Sequence, residues 1–353
     1  MHPILSQPPS QSPSSLSEAL AIYPLDDLAV FEAMGADTLP FMQGQLTNDL
    51  LDAGTKQAKL AGYCTAQGRL LATLVIAALP DQPAGSLIGL VRADILASVI
   101  KRLNMFVLRA KVKLSTSAYS AVGVSILATE VDALSEALGH ALPKTPWQAI
   151  AATTGLWICA PAAMPQTGLA TLRWWWLASE AHTAHCHRLH LPHVLGTSAH
   201  WRREDISAGL PWIEAATQDL FIPQTLNLDL IEGVSFTKGC YPGQEIVARS
   251  HYRGTVKRRM HIGKIDADQA LNLNAGADIF DAQGSEQACG RVINIASSGQ
   301  QHTGGANDQE GRQTAYVLLE TTFDALEHNA LHLGARDGAP ITLLDLPYST
   351  RPA

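Results

Sequence analysis

The sequence predicts an α+β protein that ends in a small β-barrel. Helical and strand patterns alternate, with hairpin turns, over the first two thirds of the chain, which argues against a doubly wound sheet. After a break at residues 251–257 the pattern changes to short strands separated by Gly, Asn and Asp turns, the signature of a small all-β unit. At 353 residues the chain is long enough for two or three such units, each with its own core.

Residues 7–17 are rich in Pro, Ser and Gln, and residues 1–20 are expected to form a disordered tail. Residues 21–253 form the α+β region and residues 254–353 the barrel domain. Residues 37–51 read as a helix carrying Leu39, Phe41, Leu46 and Leu50. Residues 59–65 and 69–79 read as strands joined at Gln67-Gly68, and residues 87–91 as a further short strand. A helix is expected over 94–103, a strand over 106–114, strands over 121–127 and 156–160, and a helix over 132–141 between them. Residues 172–177 read as a strand in which Trp175 faces opposite to Trp174 and Trp176, so at least one indole belongs to the core. Strands are expected over 259–265, 288–295 and 314–319, and a polar loop over 297–313.

Hydrophobic residues make up 46% and charged residues 16% of the chain, as in a compact and rather apolar protein. No apolar run approaches the roughly 20 residues of a membrane helix, and no basic-then-apolar leader is present. Neither membrane binding nor secretion is expected. The cysteines Cys64, Cys159, Cys186, Cys240 and Cys289 are odd in number, widely spaced and free of CxxC, which suits a reducing cytoplasm. His182, His185, His187, His190, His193 and His200 crowd one region with Cys186. Their spacing matches no closed ligand set and Pro192 interrupts the helix, so no metal site is expected.

Net charge is −7, yet residues 238–259 hold six cations (Lys238, Arg249, Arg253, Lys257, Arg258 and Arg259) against the single acid Glu245. Such a run is either a solvated basic strand or a receiver for phosphates. The last five cations are the candidates for weak nucleic-acid contact. The run begins within Lys238-Gly239-Cys240-Tyr241-Pro242-Gly243-Gln244-Glu245. There a thiol stands in a glycine-flanked turn before the start of a helix, where nearby amides and cations can favour thiolate. An inert free thiol and a functional one both fit these residues.

That octapeptide resembles the signature of the YgfZ-type family of folate-binding, tRNA-modifying proteins, related to the T protein of the glycine cleavage system. The resemblance extends to residues 41–49, 64–69, 221–224, 227–228, 233–236 and 346–349, and so from about Tyr23 to Ser349. It implies a T-protein-like folate-binding body split into subdomains, followed by the barrel. It implies tetrahydrofolate or a derivative as cofactor, and a cytoplasmic role in supporting iron–sulfur enzymes, including those that thiolate tRNA. Cys240 and Lys238 become candidate catalytic residues. Trp201, Asn227, Tyr241, Gln244, Glu245 and Arg249 become candidates for the folate site, with Trp201 stacking on the ligand and Gln244 and Glu245 positioning the loop.

Three departures matter. A second family tryptophan is Leu28 here. A T-protein glutamate is Ser207, which cannot make a bidentate pair with a pterin. The run after the first hairpin, Gly68-Arg69-Leu70-Leu71-Ala72-Thr73-Leu74, lacks the T-protein aspartate, so glycine-cleavage activity is not expected. Two further classes stay open: a folate-dependent one-carbon transferase with Cys240 as nucleophile, and a non-enzymatic adaptor for cluster-bearing partners.

Overall fold

The computed structural model describes residues 20–51, 56–162, 170–187, 189–252, 256–266, 268, 274–297 and 314–350. Residues 1–19 of the predicted tail, most of the predicted 297–313 loop, Arg253 and the boundary at 253/254 lie outside these residues, whereas Leu20, placed in the tail, is buried in the core of the second sheet.

Three sheets carry the fold. The first orders strands Lys59–Cys64, Leu70–Ala78, Leu87–Arg92, Leu28–Met34 and Lys113–Thr116, all antiparallel. The second orders Val194–Leu195, Ala21–Pro24, Ser120–Leu127, Thr171–Ala178, Gly155–Cys159 and Ala149–Ala152. Its central strand holds the three tryptophans. Trp175 joins the large core shared with the first sheet, whereas Trp174 and Trp176 join a second cluster on the opposite face. The alternation is that of any strand buried on both sides. The indoles of Trp174 and Trp176 donate to the carbonyls of Pro143 (2.7 Å) and Thr154 (2.6 Å), which satisfies both N–H groups without water.

The third sheet is the C-terminal barrel. Its seven antiparallel strands run Ala339–Pro340, Leu331–Leu333, Asp278–Asp281, Gly290–Ser297, Thr314–Thr322, Arg258–Asp266 and Thr342–Leu344. The two outermost strands are separated in sequence by Ile341 alone, so the ends of the sheet meet at that residue and the barrel is nearly closed. Closure removes most of the unpaired edge that an open sheet would expose. Met260, Ile262 and Leu318 pack into the large core of the first sheet, so the barrel is docked through apolar contact.

Two expected elements differ. The helix expected over 37–51 is only Thr38–Gln43. Beyond Gly44 the short polar side chains compete with the helical ladder: Asn48 Oδ1 accepts the Asp49 N–H (2.8 Å) and Asp49 Oδ1 the Leu51 N–H (3.0 Å). The strand expected over 106–114 shrinks to Lys113–Thr116, because the preceding helix runs on through Leu96–Val107 and buries Val99 and Leu103 at helical spacing.

Two sequence-distant glycines bring the first hairpin and the octapeptide together. The hairpin turn after Cys64 carries Gly68 (φ +72°), and the turn before helix Gln244–Tyr252 carries Gly243 (φ +83°). A Cβ on Gly243 would fall 2.5 Å from the Thr65 carbonyl oxygen and 2.6 Å from Gly68 Cα. Both the left-handed angle and the backbone contact require glycine. Gly243→Ala should therefore destabilise the fold by about 2–4 kcal/mol, combining left-handed strain with overpacking. A urea-unfolding midpoint indistinguishable from wild type would contradict this.

Candidate functional site

Segments far apart in sequence meet around the loop that carries Cys240. Thr47 Oγ1 donates to the Gly233 carbonyl (2.7 Å) and accepts the Gly62 N–H (2.7 Å). Asn48 Nδ2 donates to the carbonyls of Leu60 (2.7 Å) and Glu232 (2.6 Å), and the Ser235 N–H reaches the Thr47 carbonyl (3.0 Å). These buried bonds tie residues 232–235 to strand Lys59–Cys64. Buried polar groups of this kind are stabilising only when all are paired, which fixes one arrangement of the loop.

Lys238 completes the clamp. It is buried, and its ammonium donates to the carbonyls of Gln43 and Leu46, each at 2.5 Å, just past the end of helix Thr38–Gln43. A cation suits the negative end of a helix. Its Nζ also lies 5.2 Å from the centroid of the Tyr241 ring. Burial pushes the ammonium down to about 8, with Asp49 opposing the shift. Lys238 thus anchors the loop, whereas its place in the motif suggested a partner of the thiol. Tyr241 is buried beside it, its phenol pushed up by burial.

Cys240 and Gly239 project from this anchored loop into open space. Cys240 is exposed, and a Cβ added at Gly239 would meet no atom within 4 Å. The other four thiols are withdrawn. Burial pushes Cys64, Cys159 and Cys186 up to about 12 and raises Cys289. In helix Gln244–Tyr252, Glu245 and Arg249 are exposed and face each other at 4.0 Å. Glu245 stands in the first turn, where its charge complements the helix dipole.

The remaining candidates hold structure. Asn227 is buried at φ +57° and donates to the Met260 carbonyl (2.9 Å). Arg259, expected at a nucleic-acid surface, is buried and makes a bidentate pair with Asp229 (2.6 and 2.9 Å). Arg258 donates to Glu320 (3.2 Å) and to the Cys289 carbonyl (3.0 Å). The basic run is therefore largely neutralised from within, and of its expected contacts Lys257 and Arg249 are exposed. Arg253 lies outside the described residues.

Trp201 is likewise not a free stacking surface. It is 2% exposed. The Arg173 guanidinium lies over its ring at 4.8 Å, and Tyr23 packs at 5.5 Å. A Cβ on Gly123 would come within 2.4 Å of its Cε3. A ligand ring could stack there only by displacing Arg173. That guanidinium is held 2.7 Å from the buried Asp205, whose other oxygen accepts from Trp212 Nε1 at 2.9 Å.

A cavity of about 190 Å³ opens elsewhere, lined by Trp147, Pro161, Leu210, Ile231, Pro347 and Tyr348 among others. None of the eight catalytic and folate-site candidates of the sequence lines it. Trp147 stacks on Trp175 with centroids 5.9 Å apart, and Trp175 meets Trp201 edge-on at 6.4 Å. The indole N–H groups of Trp175 and Trp201 and the carbonyl oxygen of the Asn227 side chain are buried with no hydrogen-bond partner. The cavity itself is lined mainly by apolar and aromatic side chains, which suits a flat ring. Its volume is below the roughly 300–1,000 Å³ of sites that enclose a whole drug-sized ligand, so a ring fits and a long tail stays outside. Tyr348 was legible as part of the similar C-terminal tetrapeptide. Trp147 carried no sequence signal.

Competitive alkylation at neutral pH, read by peptide mapping, should label Cys240 at least about tenfold faster than any other thiol. Faster labelling of Cys64 or Cys159 in the native protein would overturn this assignment. For Lys238 the sign follows from its lowered value. The unfolded chain holds the extra proton between about pH 8 and 10.5, so stability rises with pH through that window. The urea midpoint of the wild type should accordingly climb relative to that of Lys238→Met. A constant difference would show that the ammonium is not desolvated.

No family model matches the chain. Among curated proteins it is 33% identical over 366 residues to the tRNA-modifying protein YgfZ of Edwardsiella ictaluri (strain 93-146), covering 98% of each chain. Among solved structures, the glycine cleavage system aminomethyltransferase T from Bartonella henselae superposes with a TM-score of 0.66 at 14% identity, over 94% of this chain and 86% of that one. The second likeness fixes the fold. The first, sustained along nearly the whole chain, makes this protein a member of the family of the tRNA-modifying protein YgfZ.

Proposed function

We propose that the protein binds tetrahydrofolate or a derivative and supports tRNA modification, including thiolation by iron–sulfur enzymes, with Cys240 as its functional thiol. The observation that carries the reading is the contrast among the five free cysteines: one is exposed on a rigidly clamped turn and four are buried or half-buried with raised pKa. A thiol serves as nucleophile or transient metal ligand only where it can be reached and deprotonated. All five are free, in keeping with a reducing cytoplasm.

Trp147, Tyr348, Leu210 and Ile231 would hold the ring of the folate in the small cavity. When bound, tetrahydrofolate supplies a one-carbon carrier. The Tyr348 hydroxyl donates to the Gly209 carbonyl at 3.0 Å and stands 3.5 Å from Asn227 Nδ2. This fixes the phenol edge of the cavity against the body. Trp201 braces the wall through Trp175 and does not stack on the ligand.

Aminomethyl transfer fits these residues poorly. Strand Leu70–Ala78 has no carboxylate. Thr73, where an acid would be wanted, is buried, and its hydroxyl accepts the Ile213 N–H at 2.9 Å. A positioned acid–base group is missing at that place in the fold.

Four outcomes test this reading. Cys240→Ser, folded as wild type, should lower thiolated tRNA nucleosides several-fold in a deletion strain; an unchanged nucleoside profile would reduce the motif to structure. The purified protein should give no aminomethyl transfer to tetrahydrofolate, and robust turnover would make it a transferase instead. Trp147→Ala should weaken tetrahydrofolate binding about fivefold, as expected for loss of an aromatic contact. Trp201→Ala should instead cost about 3–5 kcal/mol of stability. Unchanged folate affinity in Trp147→Ala would move the ligand elsewhere.

A further inference from the structure

Between Leu96 and Thr116 the chain holds five cations and no acid, although the whole protein carries −7. All five (Lys101, Arg102, Arg109, Lys111 and Lys113) are exposed, and none has an ion-pair partner among the described residues. The acid that reaches this stretch, Asp37, accepts from the Lys111 backbone N–H at 2.7 Å. Lys101 and Arg102 lie on helix Leu96–Val107, and Arg109, Lys111 and Lys113 lie beyond its end. Between the two groups, three large apolar side chains are left in solvent: Met105 (67% exposed), Phe106 (44%) and Leu108 (88%).

The backbone at this tip is strained. Leu108 caps the helix at φ +42°, ψ −98°, a conformation that a branched side chain adopts at a cost of order 1–3 kcal/mol. Nothing in the core demands it, since Leu108 touches solvent and the buried face of the helix is made by Val99 and Leu103. The strain holds an apolar residue outward between two sets of cations.

We infer that this tip is an RNA-binding surface, on which Lys101, Arg102, Arg109, Lys111 and Lys113 contact phosphates and Phe106, with Met105 and Leu108, packs on an unpaired base. Charge complementarity selects a polyanion. An apolar group flanked by cations suits a splayed base between two phosphates. A membrane-surface helix would need an apolar stripe along its length, whereas here the exposed apolar residues are confined to one end. The choice of RNA among polyanions rests on the tRNA-modification reading. The surface also replaces the basic run at 249–259, whose Arg258 and Arg259 are already paired within the protein.

The test is fluorescence anisotropy of the full chain with an unmodified tRNA transcript at several salt concentrations. The triple variant Lys101→Glu, Arg109→Glu, Lys111→Glu should bind at least about tenfold more weakly, with a salt slope shallower by about 2–3, near one per lost phosphate contact. Phe106→Ala should lose about tenfold with an unchanged salt slope, as stacking predicts. The control Lys257→Glu, Lys264→Glu should bind as wild type. Circular dichroism and thermal melting of each variant exclude unfolding. Equal tRNA affinity across all variants overturns the inference. So does a loss confined to binding of phosphatidylserine vesicles, which would assign the tip to a membrane surface. Because Cys240 lies outside this tip, Cys240→Ser should keep full tRNA affinity, so failure of the thiol reading and failure of this surface are read separately.

Discussion

The backbone-to-backbone approach of Gly243 to the hairpin turn at Thr65–Gly68 is the constraint on which the site depends. Any side chain at Gly243 would overlap the Thr65 carbonyl and Gly68. With glycine there, helix Gln244–Tyr252 can start against the hairpin, and the preceding loop is drawn over strand Lys59–Cys64. The polar bonds of Thr47, Asn48 and Lys238 then have fixed partners. A thiol on an unclamped loop would lose conformational entropy each time it met a partner. Here that cost is met during folding.

The same contact explains why Lys238 and Tyr241 are buried while the cysteine between them is exposed. Lys238 and Tyr241 face inward, one to carbonyls and the other to the core, and so lock both sides of Cys240. The motif is a structural device with one exposed thiol on it. The cavity is a separate feature, built where the tryptophan strand, the turn at Trp147 and the C-terminal tail at Pro347-Tyr348 meet. The Tyr348 hydroxyl on Gly209 joins that tail to the body.

Electrostatics is distributed in a way that the order of charges along the chain conceals. The cation-rich run after Cys240 meets Asp229 and Glu320, which arrive from other elements: Arg259 ties the barrel to the body through Asp229, and Arg258 pairs with Glu320 inside the barrel. The less conspicuous run between Leu96 and Thr116 meets no such partners among the described residues and keeps its charge in solvent. Which cations remain available to a ligand is therefore a property of neighbours across space.

By itself the sequence determined the α+β body, the C-terminal barrel, most strand positions and the family, because period-2 apolar patterns, glycine turns and motif residues are local signals. It also singled out Cys240. Only the tertiary structure decided which motif residues are exposed and which are buried. Trp201 reads identically as a platform or as core until Arg173 and Gly123 are seen to cover it. Lys238 reads as a partner of the thiol until the carbonyls of Gln43 and Leu46 claim it. Residues 44–49 continue an apolar helical spacing, yet their polar side chains find strand and loop partners that no local pattern contains. Trp147 gave no signal because its role comes from stacking on Trp175, 28 positions away along the chain. Burial, pairing and cavity shape are sums over such distant contacts, and a sequence read along its length supplies only one member of each pair.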